Sequence, residues 1–300
     1  IRVIQNYQMT FFDKLTLSLN FGNLFDTDNA FDLRMINPFM FMHNLFNFTS
    51  YNGNDYGNGA KVEANNHASL ALSYAFYPSW NLYTEIMIDQ FQLAGEKSST
   101  AIEPPNAIGA LLNVSNTTKA GCGFLQSYAE VVYTSPNLYL NEKYTDANNS
   151  IISHDKASYD YYYWNQDLIL GNSIWWGNDI SYSGYVYGPD TILAEIGSKY
   201  ETDIFSVGAK IRYKAHGEQG IRVRTNQNQT IHHADSVWNL NLTGTVEHAV
   251  SLMLNGSWNI TPSISINGAI AQHIITNYKN EEGAKLSNSQ FTLGLVFKVW

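Results

Sequence analysis

The chain has 300 residues and a net charge of −9; 44% of its residues are hydrophobic and only 14% are charged. Its 17 lysines and arginines are scattered, which argues against nucleic-acid binding because phosphate recognition needs concentrated basic side chains. The single cysteine, Cys122, excludes an internal disulfide framework, and no apolar run reaches the roughly 18 residues that predict a transmembrane helix.

Apolar residues recur at every second position, which is the pattern of strands with two different faces. In chain order, the alternation covers residues 15–21, 70–76, 82–91, 205–213, 246–260, 264–270 and 291–299. The intervening positions are mostly Ser, Thr, Asn, Gly and Ala, whereas a soluble sandwich would carry charge there. We therefore expect an all-β fold, an antiparallel transmembrane β-barrel of the bacterial outer membrane with apolar side chains toward lipid and a wet lumen.

Turn residues support the same architecture. Tight turns are predicted at Asp13-Lys14, Pro78-Ser79, Ser135-Pro136, Glu201-Thr202-Asp203 and Thr261-Pro262, with long segments rich in Asn, Gly, Ser and aromatic residues between them. Outer-membrane barrels have short periplasmic turns and long extracellular loops. The short turns are therefore expected on the periplasmic side.

The two ends of the chain are informative about its extent. The last strand, "FTLGLVFKVW", stops at an aromatic residue and resembles the signal read by the barrel-assembly machinery, although Lys298 shifts its apolar set by one position. The strand that ends at Asp13 runs toward a predicted periplasmic turn, so we expect the chain to begin on the extracellular side. Bacterial barrels normally begin in the periplasm. We expect about 11 or more strands, with residues 1–300 forming a single β-barrel domain whose N-terminal part is missing.

An aromatic run, "YDYYYWNQDLILGNSIWWGND" at 159–179, lies in the long connection after Ser135-Pro136. Tyr and Trp rings suit the headgroup layer of a membrane, so one interpretation is an interfacial girdle. The other is carbohydrate binding, in which the rings stack on sugars while amides and carboxylates bind hydroxyls. Ordinary loop packing is a third alternative. The carbohydrate-binding candidates are Tyr161, Tyr163, Trp164, Trp175, Trp176, Asn178 and Asp179.

Two predicted strands place ions on the polar face. Glu85 and Asp89 share a face in "NLYTEIMIDQF", and Lys210, Arg212 and Lys214 share one in "IFSVGAKIRYKAHGE". Because a basic side chain facing lipid near the bilayer midplane costs about 2–4 kcal/mol, these ions are expected in the lumen. They could pair and plug the interior, or they could set the selectivity of a pore.

Enzyme and metal chemistry are not expected. His232 and His233 are adjacent, whereas two ligands on one strand face would be spaced by two. No Gly-x-Ser-x-Gly elbow or Gly-rich phosphate loop is present, and Cys122 has no nearby base in the sequence. We predict a non-catalytic protein without a metal or cofactor.

Three segments carry a family resemblance: "NLYTEIMIDQF", "SYAEVVYTSPN" and "YGPDTILAEIGSKYETDIFSVGAKIRYKAHGE". Over residues 65–300 the chain resembles the Wzi-type capsule-assembly outer-membrane proteins, through Ile88, Asp89 and Phe91 and through Arg212, Tyr213, His216, Gly217 and Glu218. The resemblance implies a barrel that binds capsular or related surface polysaccharide, without catalysis or cofactor. No binding residue of the family can be matched in "YDYYYWNQ".

Of three functions that the sequence leaves open, we predict the first and keep the other two as alternatives. The first is binding of surface polysaccharide, with membrane lipid, the polysaccharide and the barrel-assembly machinery as partners. The second is a porin-like channel for small solutes, whose selectivity would come from the lumen charges. The third is a structural surface antigen without a small ligand. Channel conductance and glycan binding would distinguish the first two.

Overall fold

The computed structural model describes residues 2–26, 63–90, 106–136, 138, 162–165, 179–182, 185–219 and 240–297. These residues form thirteen strands and one short 3-10 helix at Tyr278–Asn280. The strands are β1 (Arg2–Phe11), β2 (Leu15–Asp26), β3 (Glu63–Tyr77), β4 (Trp80–Gln90), β5 (Ala107–Ala120), β6 (Gly123–Thr134), β7 (Tyr162–Asn165), β8 (Asp179–Tyr182), β9 (Thr191–Glu201), β10 (Phe205–His216), β11 (Glu247–Thr261), β12 (Ile264–Thr276) and β13 (Lys285–Phe297).

Eleven strands form one antiparallel sheet in the order β1-β2-β3-β4-β5-β6-β9-β10-β11-β12-β13. Strands β7 and β8 form a separate hairpin inside the connection from β6 to β9. The predicted all-β antiparallel fold is confirmed. Within the described residues β1 and β13 are the two edges of the sheet and do not pair with each other. In those same ranges, no helix has the length and apolar character needed to cross a membrane.

The register separates two chemically different faces across the whole sheet. Ile211 of β10 pairs with Ile196 of β9 and Leu252 of β11, while the next residue, Arg212, pairs with Glu195 and Ser251. Extending this phase through every strand gives one apolar face and one polar face. The apolar face is exposed: Ile86, Val131, Ile196, Val207, Leu252, Leu254, Ile270, Ile274, Leu293 and Leu295 are all at least 46% accessible.

The buried side chains lie mainly on the polar face. They include Ser69, Ala71, Val132, Leu193, Glu195 and Ser251, all less than 10% exposed. Side chains on the inside of a curved sheet are crowded by their neighbours, whereas those on the outside are splayed apart. The polar face is therefore the inner, concave face, and the apolar face is the outer one.

Aromatic rings cluster on the outer face near one end of the strands. The ring of Phe76 lies 6.1 Å from that of Trp80 and 6.2 Å from that of Tyr74, and the Tyr200 and Phe205 rings are 5.9 Å apart. These residues flank the tight turns between β3 and β4 and between β9 and β10.

Four of the five predicted turns are confirmed, and they define what we call the short-turn rim. The turn predicted at Ser135-Pro136 is wrong. The tight turn between β5 and β6 is at Gly121 and Cys122, where Gly121 adopts the left-handed region with φ 59°. Strand β6 instead continues to Thr134, and the amide of Ser135 donates to the Ile108 carbonyl at 2.9 Å. Ser135 therefore begins the long β6–β9 connection at the opposite end of the sheet, the loop rim.

Candidate functional site

The inner face carries an ion cluster centred on Glu195, which is 9% exposed. Arg212 Nε lies 2.5 Å from Glu195 Oε2, and Lys210 Nζ lies 3.5 Å from the same oxygen. The Tyr128 hydroxyl donates to Glu195 Oε1. We name the group formed by Tyr128, Tyr187, Glu195, Lys210 and Arg212 the inner ion cluster.

Strand register assembles this cluster. Glu195 pairs with Arg212 on one side and with Glu130 on the other, so three charged side chains share one row of the inner face. Tyr128 pairs with Gly197, and a Cβ atom at Gly197 would lie 2.7 Å from the Tyr128 ring. A glycine is required at position 197 because the tyrosine ring lies flat over it to reach Glu195.

The end of the β6–β9 connection folds onto the same face. The Tyr187 hydroxyl accepts a hydrogen bond from Arg212 Nη1, and the Arg212 guanidinium carbon lies 5.2 Å from the centre of the Tyr187 ring. Lys214 Nζ is 5.7 Å from that centre and 3.4 Å from Glu247 Oε1. Tyr185 packs edge-on against Tyr187 with 5.7 Å between ring centres. The connection thus narrows the space above the basic residues near the loop rim.

The predicted lumen charges are found in two different places. Lys210, Arg212 and Lys214 lie on the inner face, paired with Glu195 and Glu247. Glu85 also lies on the inner face, but on β4, and its carboxylate accepts a hydrogen bond from Tyr83 at 2.7 Å. Asp89 is part of β4, and its side chain lies outside the described residues. The acidic partners of the basic strand are therefore different residues from those that the sequence singled out.

The carbohydrate-binding candidates fall largely outside the described residues. Tyr161, Trp175, Trp176 and Asn178 lie there entirely. Tyr163, Trp164 and Asp179 are described by their backbone alone, in the β7–β8 hairpin. In this hairpin Trp164 pairs with Ile180, and Asn165 pairs with Asp179. The connection that contains the hairpin begins and ends at the loop rim.

A second group of polar contacts joins the loops at the loop rim. Asp190 is fully buried, and its carboxylate accepts the amides of Gln219 at 2.9 Å and Thr243 at 3.1 Å and also the Thr243 hydroxyl. Its carbonyl oxygen accepts the Gly217 amide at 2.9 Å and lies 3.0 Å from His216 Nδ1. We name Asp190, His216, Gln219 and Thr243 the rim clasp.

Burial dominates the electrostatics of the two loop residues near this rim. It raises the pKa of the Asp190 carboxyl above its usual range, and the hydrogen bonds from Thr243 and Gln219 oppose that rise. Burial also raises the pKa of the Tyr185 hydroxyl, and the Glu130 carboxylate adds to the effect. Tyr185 is therefore neutral at physiological pH and can act as a hydrogen-bond donor.

Sequence reasoning missed Glu195, Tyr128 and Tyr187. A signal was available for Glu195, since it occupies the same phase as Leu193 and Gly197 in the strand "TILAEIGSKYE". The alternation of side chains along a strand, which predicted the inward position of Lys210 and Arg212, predicts the same position for Glu195. Tyr187 had no such signal, because it lies outside the strands and reaches Arg212 only through the path of the connection.

Comparisons with known proteins give no family for the chain. No protein-family model and no curated protein matches it, so the resemblance to the Wzi-type family receives no support from them. Among solved structures, the chain is similar to one described as "CymD monoaromatic hydrocarbon channel", with a TM-score of 0.33 and 9% identity over 99% of this chain and 74% of that one. Similarity at this level does not define a function.

Proposed function

We propose that the protein is an outer-membrane β-barrel whose inner face lines a passage for small polar solutes. The observation that carries this proposal is the separation of an exposed apolar face from a polar, ion-bearing face across all eleven strands of the sheet. Soluble proteins rarely expose a continuous apolar surface of this extent, whereas a barrel in a bilayer requires it.

The position of the aromatic rings supports a membrane location. Tyr74, Phe76, Trp80, Tyr200 and Phe205 form a belt on the outer face beside the short-turn rim. Outer-membrane barrels carry such aromatic girdles where the apolar band meets the headgroups. Outer-membrane lipid is then the partner of the outer face, and the short-turn rim is periplasmic.

The inner ion cluster supplies a basis for selectivity. Lys210, Arg212 and Lys214 follow one another on the inner face of β10, each half-buried and close to a carboxylate or an aromatic ring. A charged row beside a passage changes the local concentration of ions of each sign. We therefore assign to this row the discrimination between solutes, without catalysis.

Single-channel recording in planar bilayers tests the proposal. We expect steady open conductance from the refolded chain, and a reversal potential under a KCl gradient that moves toward cation selectivity in Lys210→Gln. Glu195→Gln should move it in the opposite direction. Lys285→Gln is the matched control, since Lys285 is an exposed residue on the outer face. A folded protein that never conducts would rule out the passage.

Binding of surface polysaccharide is the second candidate. It is favoured by the β7–β8 hairpin, whose residues Tyr163 and Trp164 belong to a long connection that begins and ends at the loop rim. The Wzi-type resemblance points to the same ligand. Wild-type binding on a glycan array, lost in Trp175→Ala or Trp176→Ala, would support this function, and equal binding by the variants would contradict it.

A further inference from the structure

A cavity of about 350 Å³ lies on the inner face, next to the inner ion cluster, because Tyr185, which lines the cavity, packs against Tyr187. Its wall comes mainly from the inner faces of β1 to β6 and from the two ends of the β6–β9 connection. Pockets that hold small organic molecules typically start at about 300 Å³, so this one has the necessary size.

One side of the cavity is apolar and well packed. Leu138 is fully buried and packs against Met87 and Tyr185, and Leu111 and Val132 continue this surface. Gly109 allows the close approach of the connection, since a Cβ atom there would lie 2.9 Å from Leu138 Cδ2. This side offers dispersion contacts to an apolar ligand group and no charge.

The rest of the lining is polar and acidic, and it adjoins the apolar residues, since Glu85 pairs with Leu111 and Ser69 pairs with Met87. Asn20 Nδ2 donates to Ser69 Oγ at 3.1 Å, which leaves the two side chains fixed against each other. Glu85 lines the cavity, and the hydrogen bond that the structure gives its carboxylate comes from Tyr83, to Oε2. His67 also lines the cavity, and its ring packs over Gly22.

Charge complementarity identifies the ligand class. Glu85 forms no ion pair within the described part of the chain, and the described lining of the cavity includes no lysine or arginine. The nearby basic side chains on β10 contact Glu195 and Glu247 instead. A carboxylate facing a cavity without a protein cation is suited to a cation brought by the ligand.

We propose that this cavity binds a small organic cation with an apolar body, whose ammonium group contacts Glu85 and whose apolar part packs on Met87 and Leu111. The inference goes beyond the passage proposed above. It concerns equilibrium binding and does not require that the protein conducts.

Equilibrium dialysis with the full chain, folded in detergent, tests the inference. The probes are phenethylamine and the neutral 2-phenylethanol, which share the same apolar body. We expect the amine to bind more tightly than the alcohol, and Glu85→Gln to weaken amine binding by about tenfold or more, as loss of a charge-assisted hydrogen bond implies. Glu201→Gln is the matched control, because Glu201 is a carboxylate on the same face, beside the short-turn rim, and does not line the cavity.

Leu111→Phe provides a second variant, in which the larger side chain fills the cavity and should weaken binding of both probes. Heat-modifiable migration on gels establishes that each variant is folded. Equal binding of the two probes, or an affinity for the amine that is unchanged in Glu85→Gln, would overturn the inference, as would the absence of binding to the wild type. Binding of the amine by a protein that shows no conductance would support the cation-binding cavity and contradict only the proposed passage.

Discussion

Replacing Asp190 by asparagine is expected to lower the free energy of unfolding by about 1–3 kcal/mol, the cost of leaving a buried donor without its acceptor. One carboxylate oxygen accepts the Thr243 amide at 3.1 Å, and the other accepts the Gln219 amide at 2.9 Å and the Thr243 hydroxyl. Asparagine keeps one of these oxygens. Whichever way its amide is oriented, its NH₂ group faces at least one backbone N–H.

Two further effects bear on the expected change in the free energy of unfolding. Loss of the charge removes the desolvation cost that raises the Asp190 pKa, so the result should lie in the lower half of the range. Asp190 also has φ 56°, which asparagine tolerates as well as aspartate does. Alanine tolerates it less and accepts none of the three hydrogen bonds, so Asp190→Ala should cost at least about 1–2 kcal/mol more than Asp190→Asn.

Urea unfolding of the full chain in lipid vesicles, followed by tryptophan fluorescence, measures these differences. Hydrogen exchange at the amides of Gln219 and Thr243 gives a local measure of whether the rim clasp has opened. Glu282→Gln is the control, because Glu282 is an exposed acid in the β12–β13 connection at the same rim and should change the stability by less than about 0.5 kcal/mol. If Asp190→Asn is as stable as the wild type and both amides stay protected, the role assigned to the rim clasp is wrong.

Three other changes test the site and the membrane assignment. Gly197→Ala should destabilise the protein by about 1–3 kcal/mol in the same unfolding assay, because the added Cβ displaces the Tyr128 ring. Gly294→Ala, whose Cβ would meet nothing within 4 Å, should leave the stability unchanged. Equal losses of stability in the two variants would contradict the packing of Tyr128 over Gly197. Cys122, exposed in a turn of the short-turn rim, should react with a membrane-impermeant maleimide only after the outer membrane is permeabilised, and labelling in intact cells would reverse the orientation. Leu252→Arg on the outer face should lower the free energy of unfolding in vesicles by about 2–4 kcal/mol. Asn255→Arg, on the inner face of the same strand, should lower it far less. Similar losses in the two variants would argue against lipid on the outer face.

The division into two faces could be read from the sequence because it depends on a local rule. Side chains alternate across a strand, so Ile211 and Arg212 must lie on opposite faces wherever the strand is placed. The turns at Asp13-Lys14, Pro78-Ser79 and Thr261-Pro262 were predictable for the same reason. The prediction of a tight turn at Ser135-Pro136 was wrong because serine and proline are also typical of a strand end that leads into a long loop. The turn between β5 and β6 instead uses Gly121, which adopts a positive φ.

The aromatic run stays a prediction. Its position in the connection from β6 to β9 follows from the order of the strands. The tight turn predicted at Glu201-Thr202-Asp203 is present, whereas Ser135-Pro136 is the start of the long connection itself. Trp175 and Trp176 lie outside the described residues, and glycan binding by these side chains is a matter for the array experiment.

The sequence by itself determined the strand class, the apolar and polar faces and the inward position of Lys210 and Arg212, since each depends on the period of two within a single strand. The tertiary structure alone decided which carboxylate meets those cations, because the pairing of Arg212 with Glu195 depends on the register between β9 and β10. It also decided the position of Tyr187 over Arg212, the closure of the rim clasp on Asp190 and the cavity beside Glu85. These contacts join residues far apart in the chain, and local periodicity contains no information about which distant segments meet.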